Sequence, residues 1–350
     1  VTGVTLRLDL DRWREHLRVV AESTPGLVPV IKGNGYGYGH ARLAQEATRL
    51  SADTVAVGVP DEVAPVREHF SGAIVVLQAW RPGDPTAEEL TADENVITTV
   101  SRLEDLRRLA ASGRRTRVLL EVLTSMRRHG IAPEDLPAAV DTLGDLRFEG
   151  WTIHLPLQLG AGYTEAERLG RAALNARRGT LWFSHLPADE AIGLSRQLGG
   201  PSDPVPVRLR VGTRLWLGDP GSREATATVL DVHPVQRGMR IGYRQRAIPA
   251  DGWIVVVAGG TSHGIGMEAP TPAASLRQRA ISAATGTLEA AGLALSPYTI
   301  GGRKRWFCEP PHMQASMIFL PKSQQPPEVG QEVPVELRLT TATVDRIEEV

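Results

Sequence analysis

The stretch VPVIKGNGYGYGH, Val28 to His40, sets one lysine directly after an apolar run and then repeats glycine at every second position. Lysine is scarce in this chain. Of 39 basic residues only Lys32, Lys304 and Lys322 are lysines; the other 36 are arginines. In a chain so biased, lysine is kept where an ammonium differs chemically from a guanidinium. It can lose its proton and form a Schiff base with a carbonyl carbon, which arginine cannot do. The glycines allow unusual backbone angles and close approach of a ligand, and Tyr36 offers a phenol on the same loop. From this stretch alone the plainer alternative stays open, a lysine that closes a strand before a flexible turn.

Composition bounds the chemistry. With 350 residues, 42% hydrophobic and 23% charged, the chain suits one large or two ordinary globular domains. A net charge of −1 gives no broad electrostatic footprint for nucleic acid. The longest apolar run, around WIVVVAGG, is too short to span a bilayer. The N-terminus carries no signal-peptide pattern. Cys308 is the single cysteine, which rules out an internal disulfide and cysteine zinc clusters. These features predict a cytoplasmic protein with no metal, nucleic-acid or membrane partner.

The elements that must position Lys32 alternate between strand-like and helix-like patterns. Strands are expected at Val28–Lys32, Thr54–Val59, Ala73–Trp80, Val96–Val100, Arg115–Leu123, Arg147–Leu155, Thr180–Ser184 and Pro206–Gly212. Helical stretches follow the first seven, at His40–Leu50, Pro60–Phe70, Thr86–Ala92, Ser101–Ser112, Ala132–Leu143, Tyr163–Ala176 and Ala188–Leu198. Eight such units predict an α/β fold, a (β/α)8 TIM-type barrel, in preference to an open doubly wound sheet, because there is no GxGxxG fingerprint. After GDPGSREA, Gly218–Ala225, the segments turn short and β-rich: Thr226–Val235, Arg240–Ile248, Trp253–Ala258, Tyr298–Ile300, Ser316–Leu320 and Val333–Leu339, with one helical stretch at Ala273–Ala291. The expected division is a barrel over residues 11–219 and a mainly β domain made of 1–10 plus 220–350. Thr5–Leu10 is expected to pair with the C-terminal sheet. In a barrel of this type reactive groups sit where strands end and loops begin, and Lys32 ends the first strand.

KGNGYGYGH resembles the lysine motif of the alanine racemases, roughly Lys-Ala-Asn-Ala-Tyr-Gly-x-Gly, matching at Lys32, Asn34, Tyr36, Gly37 and Gly39. These are fold-type III enzymes that use pyridoxal phosphate, and the resemblance extends over almost the whole chain. It implies that Lys32 is the Schiff-base lysine and that Tyr36 hydrogen-bonds the cofactor phosphate. EVLTSMRRHGI is similar to a family stretch in which Arg128 would contact the cofactor phenolate and the substrate carboxylate. There Glu121 falls on a lysine that is carbamylated in many members, so its carboxylate is expected to hold Arg128. GWTIHLP implies a site role for His154. LWFSHLP falls where the family has a phosphate-binding serine, with Ser184 the candidate and His185 its rival. VRLRVGTRLWLG matches Arg210 to the arginine facing the pyridine nitrogen and Gly212 to a backbone phosphate contact. An arginine there leaves the ring nitrogen unprotonated, which favours proton transfer over chemistry that needs a stronger electron sink.

The resemblance fails in the β domain. The family's second base is a tyrosine in a Gly-Tyr-Ala-Asp-Gly motif, supplied by the partner subunit. The matching stretch here, VVVAGGTSHGIG, puts Gly260 at or beside that position, with His263 the nearest titratable side chain. The family's Met-Asp pair matches Met313 and Gln314. The resemblance therefore implies a head-to-tail homodimer and a racemase or epimerase acting on an amino acid other than free alanine, with Lys32 and His263 as candidate bases. A one-base enzyme such as a decarboxylase, or a non-catalytic cofactor- or partner-binding homologue, are the alternatives.

Overall fold

The computed structural model describes residues 2–157, 162–267 and 294–350. The helical stretch expected at Ala273–Ala291 lies outside them. The described chain divides into two compact units, residues 14–219 and residues 1–13 with 220–350. An N-terminal strand, β1 (Val4–Leu8), belongs to the second unit.

The first unit is a closed barrel of eight parallel strands, β2 (Leu27–Ile31), β3 (Thr54–Val57), β4 (Ala73–Val76), β5 (Val96–Val100), β6 (Arg117–Val122), β7 (Arg147–His154), β8 (Leu181–Ser184) and β9 (Val207–Val211), with β9 pairing back onto β2. A helix lies between each consecutive pair, the longest at Gly162–Ala176. Strands such as VITTV (Val96–Val100) are buried along their whole length, as parallel strands covered on both faces must be. The connecting helices turn apolar stripes inward, for example Leu43, Ala44 and Ala47 in His40–Arg49. Their ends are set locally: Asp84 accepts from the Ala87 N–H at 3.0 Å, ahead of Pro85 in the first turn of Pro85–Leu90. Val28, Val30, Ala56, Val75, Ile97, Leu119 and Trp182 fill the barrel interior. The guanidinium of Arg208 lies 4.8 Å from the centre of the Trp182 ring.

The second unit is β-rich. The strands β10 (Arg223–Val235), β13 (Gly252–Ala258) and β16 (Ala315–Pro321) are antiparallel neighbours, and β1 extends the sheet from β10. The strand β17 (Glu332–Pro334) also pairs with β10, and β18 (Arg346–Glu349) runs parallel to β1. Among the described residues it also carries two small hairpins, β11 (Arg240–Ile241) with β12 (Arg246–Ala247), and β14 (Leu295–Ile300) with β15 (Arg303–Trp306). The single strand expected over Arg240–Ile248 is thus two short strands around the turn Gly242–Gln245. Gly242 itself takes φ +70°, a value that glycine adopts without strain. The helix Leu10–Glu22 was not expected from the sequence; its Trp13, Leu17 and Val20 are buried at helical spacing. No helix among the described residues is long and apolar enough to cross a membrane.

Candidate active site

Side chains alternate along a strand, so each interior residue of the barrel predicts the next one two positions on. Val28 and Val30 point inward, and Lys32 follows them just past the end of β2. Leu119 is followed by Glu121, and Trp182 by Ser184. Across the sheet, His154 is in register with Ser184, and Ser184 with Arg210. One rule of alternation therefore gathers Lys32, Glu121, His154, Ser184 and Arg210 on the inner face at the C-terminal ends of the strands, where barrels of this type carry their chemistry.

The cluster is rich in cations. Lys32 is open to solvent as a residue, but its amine is partly withdrawn from water in the barrel mouth; this partial burial lowers its affinity for a proton, the positive charges of Arg128 and Arg210 lower it further, and Glu62 acts in the opposite sense. No carboxylate among the described residues stands at ion-pair distance from Lys32. Arg210 is buried; burial, partly offset by Glu121, pushes its guanidinium down to about 10. Its Nη2 donates to the carbonyl of Ile153 at 3.5 Å, and its Nε is buried without a hydrogen-bond partner. His154 is driven down to about 3 by burial and then by Arg210, Arg128, His185 and Lys32. It is therefore a neutral imidazole at pH 7, able to donate or accept a hydrogen bond but not to add another cation.

Tyr36 sits on the loop after Lys32 with φ +54°, an uncommon value for a residue with a Cβ. Its phenol is buried, and burial with the nearby Glu62 pushes it up to about 12, so it keeps its proton. Its Oη lies against the backbone of Gly212, where any Cβ would overlap it. Gly212→Ala is therefore expected to displace Tyr36 and to destabilise the barrel by about 1–3 kcal/mol, the usual cost of overpacking. Tyr36→Phe in the same chain should recover part of that loss, and denaturant titration of the two single variants and the double variant reads it.

Ser184 is buried at the end of β8. Its rival His185 is exposed, takes φ +63°, and donates from Nδ1 to the Leu155 carbonyl at 2.8 Å. The two imidazoles of His154 and His185 meet edge to face with centroids 5.0 Å apart, so both candidates lie at the same strand end.

The expected pairing of Glu121 with Arg128 is not found. Glu121 is buried and accepts from Ser101 Oγ at 2.7 Å, and its charge acts on Arg210. Arg128 is exposed on the loop after β6 and forms no ion pair with Glu121. The physical reason is the burial of Arg210: a guanidinium taken out of water needs a nearby carboxylate more than an exposed one does. The positive charge of Arg128 instead acts on Lys32 and His154, whose proton affinity it lowers.

Sequence reasoning missed Glu62. It lies in the turn Pro60–Glu62 after β3, and its carboxylate accepts from the N–H of Gly33, directly after Lys32, and from that of Gly58. The only local signal was an acid just after a proline and a strand end. Ser101, the partner of Glu121, was also missed.

The β-rich unit holds the remaining candidates. His263 is buried, with Nε2 3.2 Å from both oxygens of Asp345. Its Nδ1 accepts from the Gly260 N–H at 3.3 Å and stands 3.2 Å from Ser262 Oγ. Both ring nitrogens are thus engaged inside the unit, and His263 anchors its loop instead of standing free as a base. Gly260 has no room for a side chain, because a Cβ would overlap the carbonyl oxygen of His312. The loop is tied to the next strand through Thr261 N–H to His312 O at 2.8 Å and Ser262 N–H to Met313 O at 3.0 Å. Met313 (72% exposed) and Gln314 lie open beside it.

Comparison with known proteins agrees with this geometry. The family described as alanine racemase, N-terminal domain, matches residues 8–183. An alanine racemase of Nitratidesulfovibrio vulgaris is 28% identical over 279 residues, covering 73% of this chain and 74% of that one. An alanine racemase of Salinispora tropica is 31% identical over 150 residues, 41% of this chain and 40% of that one. Among solved structures, an alanine racemase from Bartonella henselae with covalently bound pyridoxal phosphate superposes with a TM-score of 0.72 at 15% identity, covering 100% of this chain and 99% of that one. A histidine racemase from Leuconostoc mesenteroides does so with a TM-score of 0.64 at 18% identity, covering 100% and 98%. A lysine motif at the end of the first barrel strand, a cationic mouth around it and a family match through eight-tenths of the barrel lead to one assignment: the chain belongs to the alanine racemase family.

Proposed function

We propose that this protein is a pyridoxal-phosphate-dependent amino-acid racemase or epimerase whose substrate is not free alanine. The observation that carries the reading is the mouth of the barrel. A lysine with lowered proton affinity faces two arginines there, and one of them has a buried Nε without a partner. Such a cluster suits a ligand that bears an aldehyde and a phosphate. Lys32 would hold it covalently, Tyr36, Ser184 and the Gly212 backbone would hold its phosphate, and Arg210 and His154 would face its ring. When bound, the cofactor acidifies the α-hydrogen of the amino acid it carries.

The chain's own residues supply the rest. Lys32 Nζ takes and returns the α-proton on its face, a role that its lowered proton affinity favours. Arg128, exposed and with no carboxylate partner among the described residues, would bind a substrate carboxylate. Glu121 holds Arg210 in the low-dielectric interior. The absence of the family's phenol at Gly260, where the backbone leaves no room for any side chain, favours a substrate bulkier than alanine. The wider reading includes a head-to-tail homodimer in which each β unit brings Met313 and Gln314 to the partner's barrel, and a cytoplasmic location. Engagement of both nitrogens of His263 favours a second reading, a one-base enzyme that acts at the α-carbon, such as a decarboxylase.

Proton NMR in deuterium oxide separates these. With L- and D-alanine and both enantiomers of serine, lysine and histidine as probes, a racemase incorporates α-deuterium and inverts at least one larger amino acid much faster than alanine. Exchange with retention, or loss of carbon dioxide, supports the one-base reading. Alanine inversion as fast as that of a family enzyme assayed beside it would refute the substrate assignment. Sedimentation at micromolar concentration of the same sample should show a dimer.

A further inference from the structure

We propose that Glu62 is a positioning residue for Lys32, a latch that fixes the end of β2 to the end of β3. The inference rests on the reading of Lys32 as the cofactor lysine. Register brings the parts together. Ile31 pairs with Val57, so Lys32 and Gly58 are the next residues on adjoining strands. There both chains leave the sheet, and their amides lose sheet partners. Glu62 supplies one carboxylate for both: Oε1 accepts from Gly33 N–H at 2.6 Å, and Oε2 accepts from Gly58 N–H at 2.6 Å and from Val59 N–H at 3.3 Å. The side chain of Glu62 is only 13% exposed, so these charge-assisted bonds are shielded from water.

Gly58 is part of the device. A Cβ at this position would stand 3.0 Å from Glu62 Oε2 and 3.1 Å from Lys32 Cβ, so the glycine leaves the lysine stem and the carboxylate just enough room to pack side by side. Beyond the latch, Gly35 N–H returns to the Lys32 carbonyl at 3.2 Å, which ties the turn carrying Tyr36 to the same anchor. A carboxylate placed here does two things. It fixes the strand end from which the amine rises, and it sets a negative charge against the positive charges around that amine. The charged and titratable groups facing Lys32 are Arg128 from the loop after β6, Arg210 on β9, His154 on β7 and Glu62 itself. His40, at 3.9 Å, and Tyr36, whose phenol feels the charge of Glu62, are further titratable groups close to the carboxylate.

The test reloads the full chain with pyridoxal phosphate after the cofactor has been stripped. It follows the carbon–nitrogen bond to Lys32 Nζ, formed with loss of water and fixed by borohydride, as a function of pH. Glu62→Gln keeps the volume but loses the charge, and its –NH2 cannot accept the second amide. Because Glu62 raises the proton affinity of Lys32, its loss should move the midpoint of bond formation to lower pH, and the plateau rate should fall about tenfold through misplacement of the amine. Gly58→Ala disturbs the packing without touching the charge; its plateau should fall about threefold with the midpoint unmoved. Wild-type plateau and midpoint in Glu62→Gln overturn the latch. Should Glu62→Gln fail to fold, Gly58→Ala decides alone, and a wild-type plateau there overturns the proposal. A wild-type chain that takes no label at Lys32 refutes instead the cofactor reading on which the latch rests.

Discussion

Lys32→Ala is expected to give a folded protein that takes no pyridoxal-phosphate label. Lys32 is open to solvent at the strand end, with its amine only partly withdrawn from water, and it has no ion pair among the described residues, so its loss should change stability by only about 0.5 kcal/mol. The effect on chemistry is complete, because only an amine can form the bond that borohydride fixes. The chain carries its own controls. Lys304 is engaged by Glu336 at 2.5 Å, and Lys322 is the third and last lysine. Peptide mapping after borohydride reduction should find the label on Lys32 in the wild type and on none of the three positions in Lys32→Ala. Equal labelling of Lys304 or Lys322 in both proteins would show that the cluster at the barrel mouth does not select the cofactor.

The second large effect concerns Gly260. Gly260→Tyr installs the family's phenol, the direct substitution for converting this protein into an alanine racemase. The structure leads to the opposite expectation. The Cβ direction at this residue is filled by the backbone carbonyl of His312, and that carbonyl is itself held by Thr261 N–H at 2.8 Å. A backbone atom cannot swing away as the end of a long side chain can. Even Gly260→Ala must then push the loop off the start of β16, at a cost of about 1–3 kcal/mol, and the bulk of tyrosine adds to it. Since Gly260 N–H also donates to His263 Nδ1, displacement would loosen the His263–Asp345 pair as well. Thermal unfolding should show the β-rich unit lose stability in Gly260→Ala and lose more in Gly260→Tyr, with no gain in alanine turnover from either. Wild-type stability together with new alanine inversion would mean that this loop rearranges to accept the phenol.

The barrel was legible in the sequence because its signals are local and repeated. Runs such as Val96–Val100 and Leu181–Ser184 are short, apolar and bounded by polar turns, and they recur eight times with helical stretches between them. The end of β2 was fixed by a switch from apolar residues to alternating glycines, and that placed Lys32. The family match around Lys32 and Tyr36 then indicated the chemistry. Strand alternation also carried over intact, since a period of two puts Lys32 on the same face as Val28 and Val30 whatever the rest of the chain does.

What the sequence left open are the choices made between residues far apart in the chain. Glu121 could be paired with Arg128 on paper because they lie seven positions apart. Only the closed barrel shows that Arg210, 89 positions from Glu121, is the buried cation whose desolvation the carboxylate offsets. His263 read as a free imidazole until folding brought Asp345 to its Nε2, 82 positions away. Gly260 read as a missing side chain, and the sheet made it a position where no side chain fits, since β13 and β16 pair through Ala258 and Ala315 and bring His312 against it. Glu62 gave almost no signal of its own, because its role exists only where the ends of two neighbouring strands meet. Local periodicity is written residue by residue along the chain, and the sequence determined it. Which buried charge meets which counter-charge depends on distances that exist only after the chain has closed, and that was decided by the tertiary structure.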